Sequence, residues 1–316
     1  MSTSAELDTL IAGATAGDRR ALARLLTRVE DGAAGTSSLI GDMFRVGTAG
    51  VVGITGPPGA GKSTLTDRLV ATSRSQGVAP VAVLAVDPSS PFTGGAILGD
   101  RIRMQSHASD RDVFIRSMAT RGRLGGLATA TPKVVALLSG LGFEEIFVET
   151  VGVGQAEVDI AATATTTVVV LPANFGDGVQ ASKAGLLEVG DLFVVNQSDR
   201  PGADESARRL TEMLGLAGHR AWTPPVVSTV ATTGEGVDEV SSQISAHRSY
   251  LVESGAASGG PGTAGALLLA ALKAELSSRA ESLLATPQGS ALIADVAART
   301  VDPWTAAREL GDSDHG

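Results

Sequence analysis

The chain has 316 residues, which is enough for one α/β core with appendages. Its formal net charge of −9 argues against binding to nucleic acid or to an anionic membrane surface, since such proteins normally present a basic face. The absence of cysteine excludes disulfide bonds, thiolate metal sites and cysteine nucleophiles.

Residues 1–45 predict an N-terminal helical arm. Apolar residues recur at roughly helical spacing from Leu7 to Leu26, and Asp18 follows an interrupting glycine where it can cap a second helix, so we expect two helices. The first ten residues lack a basic region followed by an apolar run, and no later segment is apolar over the length that a membrane helix needs. A cytoplasmic protein without a signal peptide is therefore expected.

From residue 46 to 252, short β-branched runs alternate with helical stretches. Several runs are apolar throughout, as expected for strands that are buried on both faces of a parallel sheet. The alternation predicts a doubly wound, mostly parallel α/β domain. The six predicted strands are Val51–Thr55, Val81–Val86, Ile146–Glu149, Thr167–Leu171, Leu192–Val195 and Val226–Ser228.

The last part of the chain, residues 253–316, predicts a linker and a helical segment. Residues 254–265 are rich in glycine, and Ala266–Leu284 has a strong helical pattern. Asp295–Ala298 and Pro303–Leu310 are further helical pieces. Because this segment cannot bury its own apolar face, we expect it to pack on the core or on another subunit.

A phosphate-binding loop is predicted directly after the first strand. The stretch Gly56-Pro-Pro-Gly-Ala-Gly-Lys-Ser-Thr64 matches G-x-x-x-x-G-K-[ST] and precedes a helical pattern. The glycines let backbone N–H groups point at phosphate oxygens, Lys62 supplies a cation, and the Ser63 hydroxyl is a hard oxygen ligand for Mg²⁺. The residues predicted to bind nucleotide here are Gly56, Pro58, Gly59, Ala60, Gly61, Lys62, Ser63 and Thr64.

Acidic residues at strand ends predict the partners of this loop. Asp87 ends one apolar strand and Glu149 ends another, and ligands of doubly wound sheets bind at the carboxyl ends of strands. Asp87 is thus placed to reach Mg²⁺, and Asp100, thirteen residues later, is a further candidate. Glu149 would orient the water on the metal or the attacking water, and the N–H of Gly152 in the following loop would sense the γ-phosphate.

A third strand end resembles the guanine-reading frame N-K-x-D, with Asn196, Gln197 and Asp199. A carboxylate can accept hydrogen bonds from guanine N1–H and N2–H₂, whereas adenine presents an acceptor at N1 and is rejected. Gln197 stands where a lysine is usual. The backbone N–H groups of Val230, Ala231 and Thr232, in a loop after the next strand, are expected to complete the base pocket.

These motifs together resemble the MeaB/ArgK family of P-loop GTPases. The resemblance runs from about residue 5 to 310. Besides the phosphate loop, it is carried by Val86-Asp-Pro-Ser-Ser-Pro91, Gly94-Gly-Ala-Ile-Leu-Gly-Asp-Arg101, Arg116-Ser-Met-Ala-Thr-Arg-Gly122 and Glu149-Thr-Val-Gly-Val-Gly-Gln155.

The resemblance implies a fold, a partner and a set of site residues. It implies a GTPase with a helical arm and a C-terminal dimerisation segment, which gates the loading of adenosylcobalamin into an acyl-CoA mutase, typically methylmalonyl-CoA mutase, and the release of damaged cofactor. It also implies a mobile switch at 174–183. The implied catalytic residues are Lys62, Asp100 and Glu149, and the implied Mg²⁺ residues are Ser63, Asp87, Asp100 and Glu149. The chain departs from the family at Gln197, Asn174-Phe175 and Arg123.

Three alternatives remain open at this point. The first is an ATP-dependent kinase of an amino-acid transport system, which Asp199 disfavours. The second is a metallochaperone GTPase for nickel enzymes, which would need thiolate or histidine clusters, whereas the four histidines of this chain are scattered. The third is a scaffold without enzymatic activity, which the intact Lys62, Ser63, Asp87 and Glu149 disfavour.

Overall fold

The computed structural model of the protein describes residues 3–87, 105–107, 109–119, 130–150, 160–175, 180–216, 221–255 and 261–312. The chain divides into two compact units, residues 1–260 and residues 261–316. Among the described residues, no helix combines the length and the apolar character needed to cross a membrane.

A seven-stranded parallel sheet forms the centre of the first unit. Its spatial order is β3-β2-β4-β1-β5-β6-β7, and every neighbouring pair is parallel, which confirms the predicted doubly wound α/β class. The strands are β1 Gly50–Thr55, β2 Val81–Asp87, β3 Val113–Ala119, β4 Glu145–Thr150, β5 Thr166–Pro172, β6 Leu192–Asn196 and β7 Val226–Thr229.

Strand β3 is absent from the six predicted strands. Its sequence places Arg116 and Ser117 within an apolar run, and it lies at an edge of the sheet. Arg116 reaches a helix of the N-terminal arm, where it donates two 2.8 Å hydrogen bonds to the carboxylate of Glu30. Because Arg116 interrupts the apolar run, a search for apolar runs in the sequence does not detect this strand.

Helices cover both faces of the sheet. The helices of the first unit are α1 Thr3–Thr15, α2 Arg19–Glu30, α3 Thr36–Val46, α4 Lys62–Ser75, α5 Thr131–Gly140, α6 Gln180–Val189, α7 Ala203–Leu216 and α8 Val237–Glu253. Apolar residues of α4 and α8 pack on one face, with Leu65 and Val240 fully buried. The arm and α5 pack on the other face against the β2, β3 and β4 side, and α6 and α7 pack on the β5 and β6 side.

The N-terminal arm has three helices rather than the expected two. Asp18 caps α2 as predicted, since its side chain accepts hydrogen bonds from the backbone N–H groups of Arg20 and Ala21. The third helix, α3, begins after Gly35, whose φ of 85° reverses the chain. Leu25 and Leu26 of α2 are fully buried in the same cluster as the sheet, so the arm shares the core of the first unit.

The second unit contains three helices, α9 Pro261–Leu284, α10 Pro287–Ala297 and α11 Pro303–Asp312. Thr286 caps α10 by accepting a hydrogen bond from the N–H of Gly289. Large apolar side chains remain exposed on α9, among them Leu268 at 71%. Among the described side chains of this unit, the large apolar ones that are exposed are Leu268, Leu269, Leu272, Leu276, Leu284, Ile293 and Trp304.

Candidate nucleotide-binding site

The loop between β1 and α4 adopts a conformation that depends on its glycines. Gly56, Gly59 and Gly61 have φ values of 135°, 77° and 89°, which L side chains rarely adopt. A Cβ at Gly56 would lie 2.0 Å from the carbonyl oxygen of Val170, so only glycine allows the loop to leave β1 this close to β5.

Helix α4 presents an anion-binding terminus at the end of this loop. It begins at Lys62, and its N-cap residue, Gly61, provides no side-chain hydrogen bond. The first N–H groups of a helix have no partner within the helix, and the helix dipole adds partial positive charge at this end. Phosphate binds favourably at such a terminus.

Lys62 lies against the loop that precedes it. Its ammonium donates hydrogen bonds to the carbonyl oxygens of Gly56 at 2.9 Å and Pro57 at 3.1 Å. The residue is only 6% exposed. These bonds hold a positive charge over the loop, next to the N-terminus of α4.

Ser63 and Glu149 bring two oxygen atoms together beside the first turn of α4. The Ser63 hydroxyl donates a 2.5 Å hydrogen bond to Oε1 of Glu149, which is 5% exposed at the carboxyl end of β4. At the carboxyl ends of the two strands, the hydroxyl of Thr150 in β4 donates a 3.0 Å hydrogen bond to the hydroxyl of Thr55 in β1. The ends of β1 and β4 are therefore fixed to each other directly beneath the loop.

The hydroxyl and carboxylate oxygens at this site fit a cation that is bound partly by the protein and partly by phosphate. Hydroxyl and carboxylate oxygens suit Mg²⁺, which is commonly held by one or two carboxylates together with substrate phosphates. In the part of the chain that the structure describes, no group of three or more His, Cys, Asp or Glu residues could hold a metal alone. Asp87 is the last residue of β2, at the same edge of the sheet as Glu149. Asp100 and Gly152 lie outside the described residues.

Asn196, at the end of β6, is hydrogen-bonded to the phosphate loop. It is 3% exposed, and its Nδ2 donates a 2.8 Å hydrogen bond to the carbonyl oxygen of Ala60. Its Oδ1 accepts hydrogen bonds from the hydroxyl of Thr229 and the N–H of Ala231, both at 3.0 Å. A Cβ at Gly61 would lie 2.2 Å from Nδ2, so Gly61 leaves the space that this contact needs. Asn196 thus joins three chain segments.

Two later residues of the same loop, Gln197 and Asp199, differ in their surroundings. Gln197 has a φ of 62°, and its Nε2 donates a 3.0 Å hydrogen bond to the carbonyl oxygen of Gly59. Asp199 is exposed, two residues beyond it in the same loop. The carboxylate of Asp199 is thus accessible at the carboxyl edge of the sheet, where the sequence places it as a base-reading group.

The loop after β7 carries the residues predicted to complete the base pocket, Val230, Ala231 and Thr232. The N–H of Val230 donates to the carbonyl of Glu235, and the N–H of Ala231 donates to Asn196. Each of these two N–H groups therefore has a partner within the protein and helps to position the loop. The N–H of Thr232 has no such partner among the described residues.

Sequence reasoning did not find Arg68, which also supports this loop. From α4, its guanidinium donates to the carbonyl oxygens of Ala231 at 3.2 Å and Thr232 at 2.6 Å. The arginine lies four residues after Thr64, on the helix that follows the phosphate loop. No motif contains this residue, so the contact becomes visible only in the fold.

A phosphate loop between the central strand and the first helix after it, with a serine and a buried glutamate beside that helix, defines a P-loop nucleoside triphosphatase. Residues 22–275 match the model of the family described as methylmalonyl-CoA mutase-associated GTPase MeaB. The chain belongs to this family of GTPases.

Individual relatives agree with this assignment. A Pyrococcus horikoshii protein named as a GTPase is 53% identical over 254 residues, which cover 79% of this chain and 80% of that protein. The GTPase ArgK of Escherichia coli is 36% identical over 249 residues, covering 76% and 75% of the two chains. A solved structure described as a LAO/AO transport system kinase matches with a TM-score of 0.68 at 24% identity and covers both chains fully, which supports the fold.

Proposed function

We propose that this protein binds GTP and Mg²⁺ at the carboxyl edge of its sheet and uses GTP hydrolysis to control a cobalamin-dependent acyl-CoA mutase. In this proposal it gates adenosylcobalamin loading and protects the mutase in the cytoplasm, methylmalonyl-CoA mutase being one example. The main support for the proposed nucleotide site is the hydrogen bond between Ser63 and Glu149 beside the N-terminus of α4. The partner rests on the description of the family to which the chain belongs.

The residues of the proposed site would have different roles in hydrolysis. Backbone N–H groups from Gly59 to Thr64 would bind phosphate oxygens, and Lys62 would offset the charge that develops on them. A bound Mg²⁺ would neutralise part of the phosphate charge. Ser63 and Glu149 would provide oxygen ligands, together with Asp87 and Asp100. The buried carboxylate of Glu149 would also orient a water, with Gly152 sensing the γ-phosphate.

Base selection would depend on the loop after β6. The exposed carboxylate of Asp199 can accept the two hydrogen bonds that guanine donates, and the N–H of Thr232 can add one donor. Asn196 would act indirectly, because its amide is occupied by Ala60, Thr229 and Ala231. This arrangement supports guanine over adenine and disfavours the kinase alternative, which would use ATP.

The metallochaperone alternative finds no support in the described part of the chain. His107 is bonded to the backbone of Asp67 on α4, and His247 is bonded to Thr166 at the start of β5. These two histidines therefore have separate structural partners. No described cluster offers the ligands that a nickel site would need.

Nucleotide and mutase are proposed to communicate along the carboxyl edge of the sheet. Strand β5 pairs with β1 and ends at Pro172, so the proposed switch at 174–183 begins next to the strand that carries the phosphate loop. Phe175 is buried against the β5 and β6 side of the core, which anchors the start of this segment. Coupling of this kind is reciprocal, so the mutase must alter nucleotide affinity by the factor by which nucleotide alters mutase affinity.

The test is a titration with the cobalamin-dependent mutase encoded in the same genome. Binding would be measured by calorimetry with GDP, with a non-hydrolysable GTP analogue and without nucleotide. We expect mutase affinity to differ between the two nucleotides and GTP turnover to rise when mutase is added. The matched control is Lys62→Ala, which should lose the dependence on nucleotide. A mutase that neither binds nor changes turnover would refute the partner and leave the GTPase assignment intact.

The second unit is proposed to hold two copies of the chain together. On α9, Leu268, Leu272 and Leu276 are spaced four residues apart and are 71%, 52% and 55% exposed. Residues at this spacing lie on one face of a helix. A second copy of the same helix would cover such a stripe, as the C-terminal segment of the family is expected to do.

A further inference from the structure

Two adjacent side chains bind two successive carbonyl groups of the phosphate loop. The amide of Gln197 donates to the carbonyl of Gly59 at 3.0 Å, and the amide of Asn196 donates to the carbonyl of Ala60 at 2.8 Å. Both donors come from the loop in which Asp199 is the proposed base-reading residue. The phosphate half and the base half of the nucleotide site are therefore fastened to each other through protein atoms alone.

These bonds also determine where the N–H groups of the loop point. In a planar trans peptide the C=O and the following N–H point in opposite directions. Holding the Gly59 carbonyl on Gln197 therefore fixes the direction of the Ala60 N–H, which donates a 3.3 Å hydrogen bond to the carbonyl of Pro57 and closes a turn within the loop. Holding the Ala60 carbonyl on Asn196 fixes the direction of the Gly61 N–H. Oriented N–H groups are what a phosphate loop offers its ligand.

The backbone of Gln197 is held in a conformation that its side chain does not favour. Its φ of 62° lies in the left-handed region, where residues other than glycine are uncommon. Two backbone bonds surround it, from Ser198 N–H to the Thr229 carbonyl at 2.9 Å and from Arg200 N–H to the Gln197 carbonyl at 3.0 Å. Unusual backbone conformations of this kind persist where the surrounding contacts impose them, and they concentrate at functional sites.

We propose that Gln197 is a positioning residue that keeps the phosphate loop in its binding conformation, so that it sets the affinity for phosphates and not the choice of base. This inference rests on the proposed nucleotide site. Glutamine supplies a neutral donor where a lysine is usual. The contact to Gly59 is therefore kept without a positive charge, and base selection remains with Asp199.

The test uses a ligand that has phosphates but no base. Affinity for inorganic triphosphate with Mg²⁺, for GDP and for ADP is measured by calorimetry on the full chain. Gln197→Met keeps the length of the side chain and removes the donor. We expect it to weaken triphosphate and GDP by the same factor, about threefold to tenfold, which is the effect of one net hydrogen bond. The ratio of GDP to ADP affinity should stay at the wild-type value.

Two further variants distinguish loss of the hydrogen-bond donor from a folding defect, and phosphate binding from base binding. Gln197→Lys restores a donor and should bind triphosphate at least as tightly as the wild type. It also shows that a loss in Gln197→Met is not a general folding defect. Asp199→Ala should weaken GDP while leaving triphosphate affinity unchanged.

The proposal is overturned if Gln197→Met weakens GDP but not triphosphate, because Gln197 would then act on the base. It is also overturned if neither ligand is affected. A wild-type protein that binds GDP and ADP equally would refute the proposed guanine site. The triphosphate comparison would still decide the role of Gln197.

Discussion

Ser63 Oγ lies 2.5 Å from Glu149 Oε1, and this hydrogen bond joins residues that are 86 positions apart in the chain. It places a buried carboxylate directly beside the helix terminus that is proposed to bind phosphate. Glu149→Gln should keep GDP affinity within about threefold, because the phosphate loop is unchanged, and should lower kcat about 100-fold or more if the carboxylate orients water. Single-turnover hydrolysis and GDP titration together measure both quantities. Wild-type turnover in this variant would remove Glu149 from the proposed mechanism.

Lys62 should be required for hydrolysis. Its ammonium is buried and held over the loop by the carbonyls of Gly56 and Pro57, so it offers a fixed positive charge to phosphates. Lys62→Ala should abolish measurable GTP turnover. The control is Lys133→Ala, which removes a lysine of α5 and should leave turnover at the wild-type rate. Substantial turnover in Lys62→Ala would contradict the assignment.

Asp199 should determine the preference for guanine. Losing its carboxylate leaves the guanine N1–H and N2–H₂ without acceptors, which costs about 1–3 kcal/mol. Asp199→Ala should therefore weaken GDP with little change for ADP, as measured by calorimetric titration of both nucleotides. Asp204→Ala, an exposed aspartate at the start of α7, is the matched control and should change neither. Equal losses for GDP and ADP would place Asp199 outside the base pocket.

The sequence predicted the fold wherever an element carries a local pattern. Apolar runs identify the buried strands, and Asp18 marks the start of α2. Strand β3 escaped because Arg116 interrupts the run, and its partner Glu30 lies 86 residues away. A charge that is paired by a remote residue gives no local signal.

Contacts between residues that are distant in the sequence also limited the prediction of the candidate site. The phosphate loop and the base-reading frame are short motifs, so spacing alone predicts them. Their connections are not short: Asn196 bonds to Ala60 across 136 positions, and Arg68 bonds to Ala231 across 163. Only the sheet order, which places β1, β5, β6 and β7 side by side, brings these segments together. The contacts of Asn196 with Ala60, Thr229 and Ala231 therefore could not be predicted from the spacing that suggested Asn196 as a base-binding residue.

His247 should make stability depend on pH below neutrality. It is 3% exposed, accepts or donates a 3.0 Å hydrogen bond at Thr166, and packs against Trp222 and Tyr250. Burial lowers the pKa of His247 below its usual value of about 6.5, and the negative charge of Asp191 opposes this only in part. The folded protein therefore resists protonation of the ring.

The difference in proton uptake between the unfolded and the folded chain determines the direction in which stability changes with pH. As the pH falls below about 6.5 the unfolded chain binds a proton that the folded chain does not, so stability falls until the lowered pKa is reached. Above about pH 6.5 the ring is neutral in both states and contributes no pH dependence. Thermal unfolding between pH 7.5 and 5.5 should show a steeper loss for the wild type than for His247→Gln. Parallel pH profiles of the two proteins would contradict this.

The C-terminal unit should hold the dimer. Leu272 and Leu276 are 52% and 55% exposed on one face of α9, where a second copy would bury them. Leu272→Glu with Leu276→Glu places two charges in that face and should yield a monomer in light scattering. A chain ending at Gly255, after the end of α8, should be monomeric as well. The control is Leu216→Glu, a leucine of the first unit that is 86% exposed, which should leave the mass unchanged. A dimer that survives both changes to the second unit would have its interface in the first unit.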